Sequence, residues 1–347
     1  MDHARFARRQ ARLVTDVRHG ADAMEAISGP GFWAVVATFE GAVTAVRFSD
    51  VVRGDAGDAG AGERGPAPWV PLDRHWDTSL DETAYVSAVE QVRERIAAGS
   101  VYQVNICRVL SHALQPEADL DGLDGILRQG NPAPYAARIR CADAGLDVVS
   151  ASPELYLSRQ GGRLVSSPIK GTAPTAAQML PKDRAENVMI VDLVRNDLSA
   201  VCRPGTVRVD RLCDLEPHPG LVHLVSSVSG ELRDEVAWPE VFAASFPPGS
   251  VSGAPKSSAL AAIADLETAP RGPYCGAVGW VDGDTGEAEL AVGIRTFWAE
   301  HDDRGRRWLR FGTGAGITWA SDPAGEWVET ELKAARLVGL AAGTVTP

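Results

Sequence analysis

Apolar and polar residues alternate through residues 32–39 and again through 42–48, with Glu40-Gly41 between the runs. A period of two predicts two β-strands joined by a tight turn. Residues 53–71 then lose all periodicity and fill with Gly, Ala, Asp and Pro, which predicts a surface loop or linker. A period near 3.6 follows: Tyr85, Val86, Val89, Val92 and Ile96 share one helical face. Ser79 and Glu82 fit a capping box at its start, and Gly99 ends it. Strand-like runs return at 101–110, 136–140, 146–150 and 155–158. A helix is predicted over 181–198. Residues 277–281 and 288–298 read as strands flanking the turn Asp282-Gly283-Asp284-Thr285-Gly286; another strand is predicted over 308–312 and a last amphipathic helix over 323–340. Most strands are joined by turns rather than by regular crossover helices, so the pattern predicts an α+β fold with large antiparallel sheets. No internal repeat is visible.

Composition narrows the function. The 347 residues carry a formal net charge of −12, which argues against a nucleic-acid partner. An anionic substrate would need local positive charge from Lys, Arg or a metal ion. The cysteines Cys107, Cys141, Cys202, Cys213 and Cys275 show no CxxC spacing, so they read as reduced thiols in a cytosolic protein, not as a zinc site or disulfide framework. The basic N-terminus (Arg5, Arg8, Arg9, Arg12) is not followed by an apolar signal region, and no apolar run approaches membrane-spanning length. A cytoplasmic location and no membrane contact are expected. Neither a GxGxxG after a strand nor a Walker sequence is present, which argues against nucleotide binding.

Several residues could carry chemistry. Lys170 lies in Pro168-Ile169-Lys170-Gly171-Thr172, at the end of a strand-like run; an uncharged amine there is a nucleophile, and Gly171 permits close approach of the backbone. Asp183 and Glu186 are three apart on one predicted helix, and Glu326 and Glu329 are three apart on another. Each pair therefore shares a helical face. Facing each other across a cleft, they would suit Mg²⁺; read alone, they are as readily two solvated faces. Lys333 follows Glu329 by four, the spacing of an ordinary salt bridge. Gly314 and Gly316 belong to a glycine-rich run after a strand, expected to be a loop offering backbone N–H groups to an anion. Arg295 is expected inside the strand 289–298, sharing a face with Gly293 and Ala291.

Taken together, the lysine pentapeptide, Ser152-Pro153-Glu154, Lys182-Asp183-Arg184-Ala185-Glu186 and the ExxExxxK pattern at 326–333 resemble the chorismate-utilising enzymes. That group comprises anthranilate synthase large subunits, aminodeoxychorismate synthase component I, and the isochorismate and salicylate synthases. The likeness runs over about residues 85–340. It includes Asn131-Pro132-Ala133-Pro134-Tyr135, the block 189–198, and the block from Phe246-Pro247 to Gly253-Ala254-Pro255-Lys256. The resemblance implies antiparallel sheets packed in a sandwich with surrounding helices. It also implies a chorismate-binding catalytic domain over 76–347, with 1–75 as an N-terminal β segment and linker in the same globule.

For individual residues the resemblance implies Mg²⁺ held by Glu186 and Glu329, with Asp183 and Glu326 acting mainly through water. Gln103, Thr172, His223, Tyr274, Arg295, Gly314, Gly316 and Lys333 would contact chorismate, with Arg295 and Tyr274 gripping the enolpyruvyl carboxylate. Glu154, sixteen residues before Lys170, would be the general acid. A lysine at 170 together with glutamine at 103 points to the aminodeoxychorismate branch, in which ammonia and not water is the nucleophile. The alternatives are an anthranilate synthase large subunit, which carries alanine at the lysine position, and a non-catalytic chorismate-binding subunit. No glutaminase segment is recognisable, so a glutamine amidotransferase partner is expected. Thr175 departs from the arginine of many relatives, and no Leu-Leu-Glu-Ser segment precedes residue 80, which makes tryptophan binding doubtful.

Overall fold

The alternating run at 32–48 forms the antiparallel strands Phe32–Ala37 and Val43–Arg53 in the computed structural model. The model describes residues 2–54, 69–73, 75–173, 175–179, 181–218 and 221–344; the side chains at 172, 181, 182, 218 and 221, and most of the predicted loop, lie outside the described residues. All of Phe32–Ala37 is buried, because Ala277–Asp282 pairs with its other edge. An interior strand covered on both faces favours a continuous apolar run.

Every strand pairing is antiparallel. One half of the ladder runs Gln103–Ala113, Arg307–Ile317, Thr296–His301, Leu146–Ser152, Tyr135–Cys141. The other runs Phe32–Ala37, Ala277–Asp282, Glu287–Val292, Leu155–Gln160, Arg163–Ser167, Leu221–Glu231, Arg208–His218. His3–Phe6, Arg9–His19 and Val43–Arg53 join the two. Helices Glu82–Ala97 and Lys256–Leu266 pack on the first half through Tyr85, Val89, Ala259 and Ile263. Leu120–Gly130 and Pro323–Ala341 pack on it through Leu123, Leu127, Leu337 and Leu340. Pro181–Ser199 and Trp238–Ser245 join the largest core, through residues such as Ile190, Val194 and Phe242. Burying each such side chain contributes about 1.5–3 kcal/mol.

At two neighbouring places the chain passes from one half directly into the other with only two or three residues between strands. Leu146–Ser152 passes to Leu155–Gln160 through Pro153 and Glu154, and Glu287–Val292 passes to Thr296–His301 through Gly293, Ile294 and Arg295. The crossings are bonded together: Ser152 Oγ donates to the Val292 carbonyl (2.6 Å), and the Val292 N–H donates to the Glu154 carbonyl (3.0 Å).

Three local expectations are corrected. Asp81, not Ser79, caps the first long helix, accepting from the Ala84 N–H at 2.9 Å. The Ser79 hydroxyl is committed elsewhere, to the Val109 N–H. Residues 289–298 are not one strand: the ladder stops at Val292 and resumes at Thr296, and Arg295 between them has φ +53°. Arg295 therefore does not share a pleated face with Ala291 and Gly293. Lastly, Gly314 and Gly316 are not in a loop but inside Arg307–Ile317, paired with Cys107 and Asn105. All five cysteines are free and buried. Among the described residues no helix is long and apolar enough to cross a membrane.

Candidate active site

Lys170 lies in the strand Ile169–Ala173, whose pairing with Leu221–Glu231 shifts register between Ile169 and Thr172. Such an irregularity re-aims side chains out of the regular pleat. Gly171 supports it with φ +84°; a Cβ there would lie 2.7 Å from Asp183 Cβ and 2.9 Å from Met179 Sδ. The glycine thus lets the start of Pro181–Ser199 press against the lysine strand. Thr172 pairs with the buried His223 across the ladder; the Thr172 side chain lies outside the described residues.

Desolvation lowers the pKa of Lys170, and the neighbouring Lys333 charge lowers it further, while Glu186, Glu154 and Glu329 oppose the shift. The lysine thus senses acids from the first crossing and from two helices. Glu154, on the crossing at 152–155, is almost fully buried. Desolvation raises its pKa to about 7, against the lowering effects of a hydrogen bond from Ser250, the Lys170 charge and the Ile169 N–H. At neutral pH this carboxyl exists in both protonation states, as a general acid requires.

Gly312, Gly314 and Gly316 alternate along one face of Arg307–Ile317. A Cβ on Gly316 would lie 2.5 Å from Gln103 Nε2, 3.3 Å from Asn105 Oδ1 and 3.4 Å from Lys170 Nζ; one on Gly314 would meet Cys107 and the Ile106 carbonyl, and one on Gly312 the Tyr274 ring. The absence of side chains on this face lets Gln103, Lys170 and Tyr274 pack directly against the strand. Gln103 is fully buried, and among the described residues neither atom of its amide has a hydrogen-bond partner. Buried polar atoms are almost always satisfied, so this amide has donor and acceptor capacity to offer a polar ligand or a water beside Lys170.

Lys333 binds Glu329 Oε1 at 2.7 Å and donates to the Gly314 carbonyl at 3.1 Å, so the helix Pro323–Ala341 is anchored on the glycine face. Glu326 is buried and accepts from Ser321 Oγ at 2.5 Å. Asp183 and Glu186 are partly exposed on the opposing helix. Among the described residues no three Asp, Glu, His or Cys side chains form a ready-made metal cage. The donor chemistry nonetheless fits a hard divalent cation: only carboxylates, from two helices, with Glu186 and Glu329 both acting on Lys170.

The guanidinium of Arg295, at the second crossing, makes no hydrogen bond or ion pair among the described residues, and desolvation alone lowers its pKa. A half-buried guanidinium in that condition favours an incoming carboxylate. Tyr274 is buried beneath Gly312, with Cys107 and Cys275 beside it. The structure thus brings Lys170, Glu154, Gln103, Gly316, Lys333, Glu186 and Glu329 to one place. It sets Tyr274 deeper, under the glycine strand.

Two residues of the site were not singled out by sequence: Ser250, which bonds Glu154, and Asn105, whose Nδ2 donates to the Ser250 carbonyl at 3.3 Å. Both lie in segments already notable for their resemblance, but only the tertiary contact gives them a role.

Comparison with known proteins identifies the family and the fold. The family model described as chorismate binding enzyme matches residues 45–339. An anthranilate synthase component 1 2 of Haloarcula marismortui is 39% identical over 261 residues, covering 72% of this chain and 48% of that protein. An aminodeoxychorismate synthase of Streptomyces griseus is 37% identical over 302 residues, 82% of this chain and 40% of that one. The chain thus spans about half the length of these relatives. MenF, the menaquinone-specific isochorismate synthase of Escherichia coli, shares the fold with a TM-score of 0.81 at 18% identity, over 98% of this chain and 89% of that one. With the match extending over most of its length, the chain belongs to the chorismate-binding enzymes.

Proposed function

We propose that the protein converts chorismate and ammonia into 4-amino-4-deoxychorismate, as component I of an aminodeoxychorismate synthase serving p-aminobenzoate and folate synthesis. The observation that carries this reading is the desolvated Lys170 amine, in electrostatic reach of the buried acid Glu154. Neutral Lys170 adds to C2 as the C4 hydroxyl departs, and Glu154 gives that oxygen its proton, releasing water. Ammonia then adds at C4, and the C2–nitrogen bond breaks to regenerate the lysine amine; the surplus proton of the ammonia leaves to solvent, so one proton is released for each one that Glu154 must regain. The balance is chorismate plus ammonia to product plus water.

Arg295 and Lys333 would hold substrate carboxylates, and Gln103 and the glycine face would seat the ring. Mg²⁺ would be held by Glu186 and Glu329, with Asp183 and Glu326 acting through water, and would supply positive charge to the dianionic substrate. A glutamine amidotransferase subunit would supply the ammonia.

A second reading, anthranilate synthase large subunit, is favoured by the 39% identity to a protein of that name. The test is mass analysis of the product from chorismate, Mg²⁺ and ammonium, with Lys170→Ala alongside. The proposal expects an aminated product that retains the enolpyruvyl group, and a loss of at least about a hundredfold in turnover in the variant. Anthranilate and pyruvate as products, or near-wild-type turnover by Lys170→Ala at saturating ammonia, would overturn it.

A further inference from the structure

A cavity of about 20 Å³ lies beside Glu154; Asp197 is the other acid in its lining, which also includes Ser250, Ser245, Tyr156 and Val194. That volume holds one water molecule, and the hydroxyl and carboxyl lining supplies the polar partners a buried water needs. The lining is arranged in a definite way. Ser245 Oγ donates to the Val241 carbonyl (2.7 Å), so the Tyr156 hydroxyl, 2.6 Å from Ser245 Oγ, donates to it. Both hydroxyls are thereby fixed. Asp197 is held by Lys256, whose Nζ donates to Asp197 Oδ2 at 2.8 Å and to the Ser245 carbonyl at 2.9 Å. The Lys256 side chain keeps 21% of its surface exposed, whereas Glu154 is only 3% exposed. The ion pair therefore stands at an outer end of the cavity and Glu154 at an inner end.

From this geometry we infer that Asp197 and a water in the cavity form a relay that returns a proton to Glu154 after each turnover. The inference rests on the role of Glu154 as general acid in the proposed reaction. When Glu154 has given its proton to the departing C4 oxygen, its carboxylate takes a proton from the cavity water. That water takes one from Asp197, whose carboxylate, ion-paired with Lys256 at rest, is transiently protonated by solvent beside Lys256. One solvent proton enters per turnover, and no bond to carbon is involved. Desolvation raises the pKa of Asp197, opposed by Lys256 and Asn196. Asp197 acts through water and is a positioning and proton-supplying residue, not one that touches substrate.

The test follows chorismate consumption in H₂O and D₂O for the wild type, Asp197→Asn and Val194→Leu, after thermal melts establish that each variant folds. Val194→Leu fills the cavity while leaving the Lys256–Asp197 pair in place. Both variants are expected to lower kcat about tenfold, to keep KM for chorismate within twofold, and to raise the solvent isotope effect on kcat. Product identity is scored separately. Anthranilate in place of the aminated product would count against the proposed function only, because loss of the C4 hydroxyl belongs to both reactions. Folded variants with an unchanged isotope effect would overturn the relay, including the case in which Asp197→Asn alone is slow.

Discussion

Lys170 and Glu154 illustrate how burial alone can prepare two ordinary side chains for opposite tasks. Desolvation disfavours charge on both, moving the lysine down and the carboxyl up, toward each other. The linkage has a definite sign. A carboxyl that titrates near 4.5 when unfolded and about 7 when folded contributes stability below 4.5 that is lost as pH rises through 7. Glu154→Gln removes this term, so above pH 7.5 the variant should melt at a higher temperature than the wild type. It should also lose about 10²–10⁴ in turnover, the ordinary worth of a general acid. Measured at fixed free NH₃, wild-type turnover should fall as pH rises past about 7, and that limb should be missing from the residual rate of the variant. A pH-independent wild-type rate under those conditions would remove Glu154 from the acid role.

At the scale of elements, the glycine face of Arg307–Ile317 and the helix Pro323–Ala341 make one unit, tied by Lys333 on the Gly314 carbonyl. A methyl group on Gly316 would meet the ends of the Gln103 and Lys170 side chains, which can move, whereas one on Gly314 would meet the Ile106 backbone. Gly316→Ala should therefore keep its melting temperature within a few degrees yet lose most of kcat/KM. Gly314→Ala should instead lose about 1–3 kcal/mol of stability in denaturant titration, the range of an overpacked core site. Equal destabilisation in the two variants would contradict this division of the strand. On the helix, Glu329→Gln should raise the Mg²⁺ concentration needed for half-maximal activity at least tenfold, because a neutral amide is a poor substitute for carboxylate charge at a hard cation. Titrating Mg²⁺ against activity measures this, and an unchanged requirement would leave Glu329 as the salt-bridge partner of Lys333 only.

For the whole molecule, the decisive feature is the pair of neighbouring crossings between the halves of the ladder. The sheet hydrogen bonding is interrupted at 153–154 and at 293–295, so Glu154 and Arg295 leave the regular pleat at adjacent places. Strands from both halves and the starts of two helices then close around that seam. Under the proposed reaction the chain by itself should use ammonium salts and not glutamine. At fixed total ammonium the growth of free NH₃ with pH and the loss of protonated Glu154 nearly cancel, so the rate should stay within about twofold between pH 7 and 9. Adding a matching glutamine amidotransferase should confer use of glutamine. Glutamine-dependent turnover by the purified chain, free of amidotransferase, would refute the assignment of a partner.

The period-two and period-3.6 patterns determined the element types and most of their positions, because local periodicity reports which side of an element meets the core. The hairpin strands at 32–48, the helix 181–198 and the C-terminal helix all stand where the pattern puts them. Spacing of three or four put the two acid pairs and Lys333 on shared helical faces, but only the family resemblance gave them, and Lys170 and Glu154, a role in a site. Tertiary structure alone decided the rest. Arg295 lies in a break that alternation cannot show, because the interruption comes from the crossing beside Glu154 and not from any local signal. Gly314 and Gly316 look like a loop in sequence, yet are held in a central strand by the partner strand Gln103–Ala113. Ser250 gains its part only through contact with Glu154, ninety-six residues away in the chain. Likewise, the pKa shifts of Lys170 and Glu154 come from burial, which depends on which distant segments fold over them.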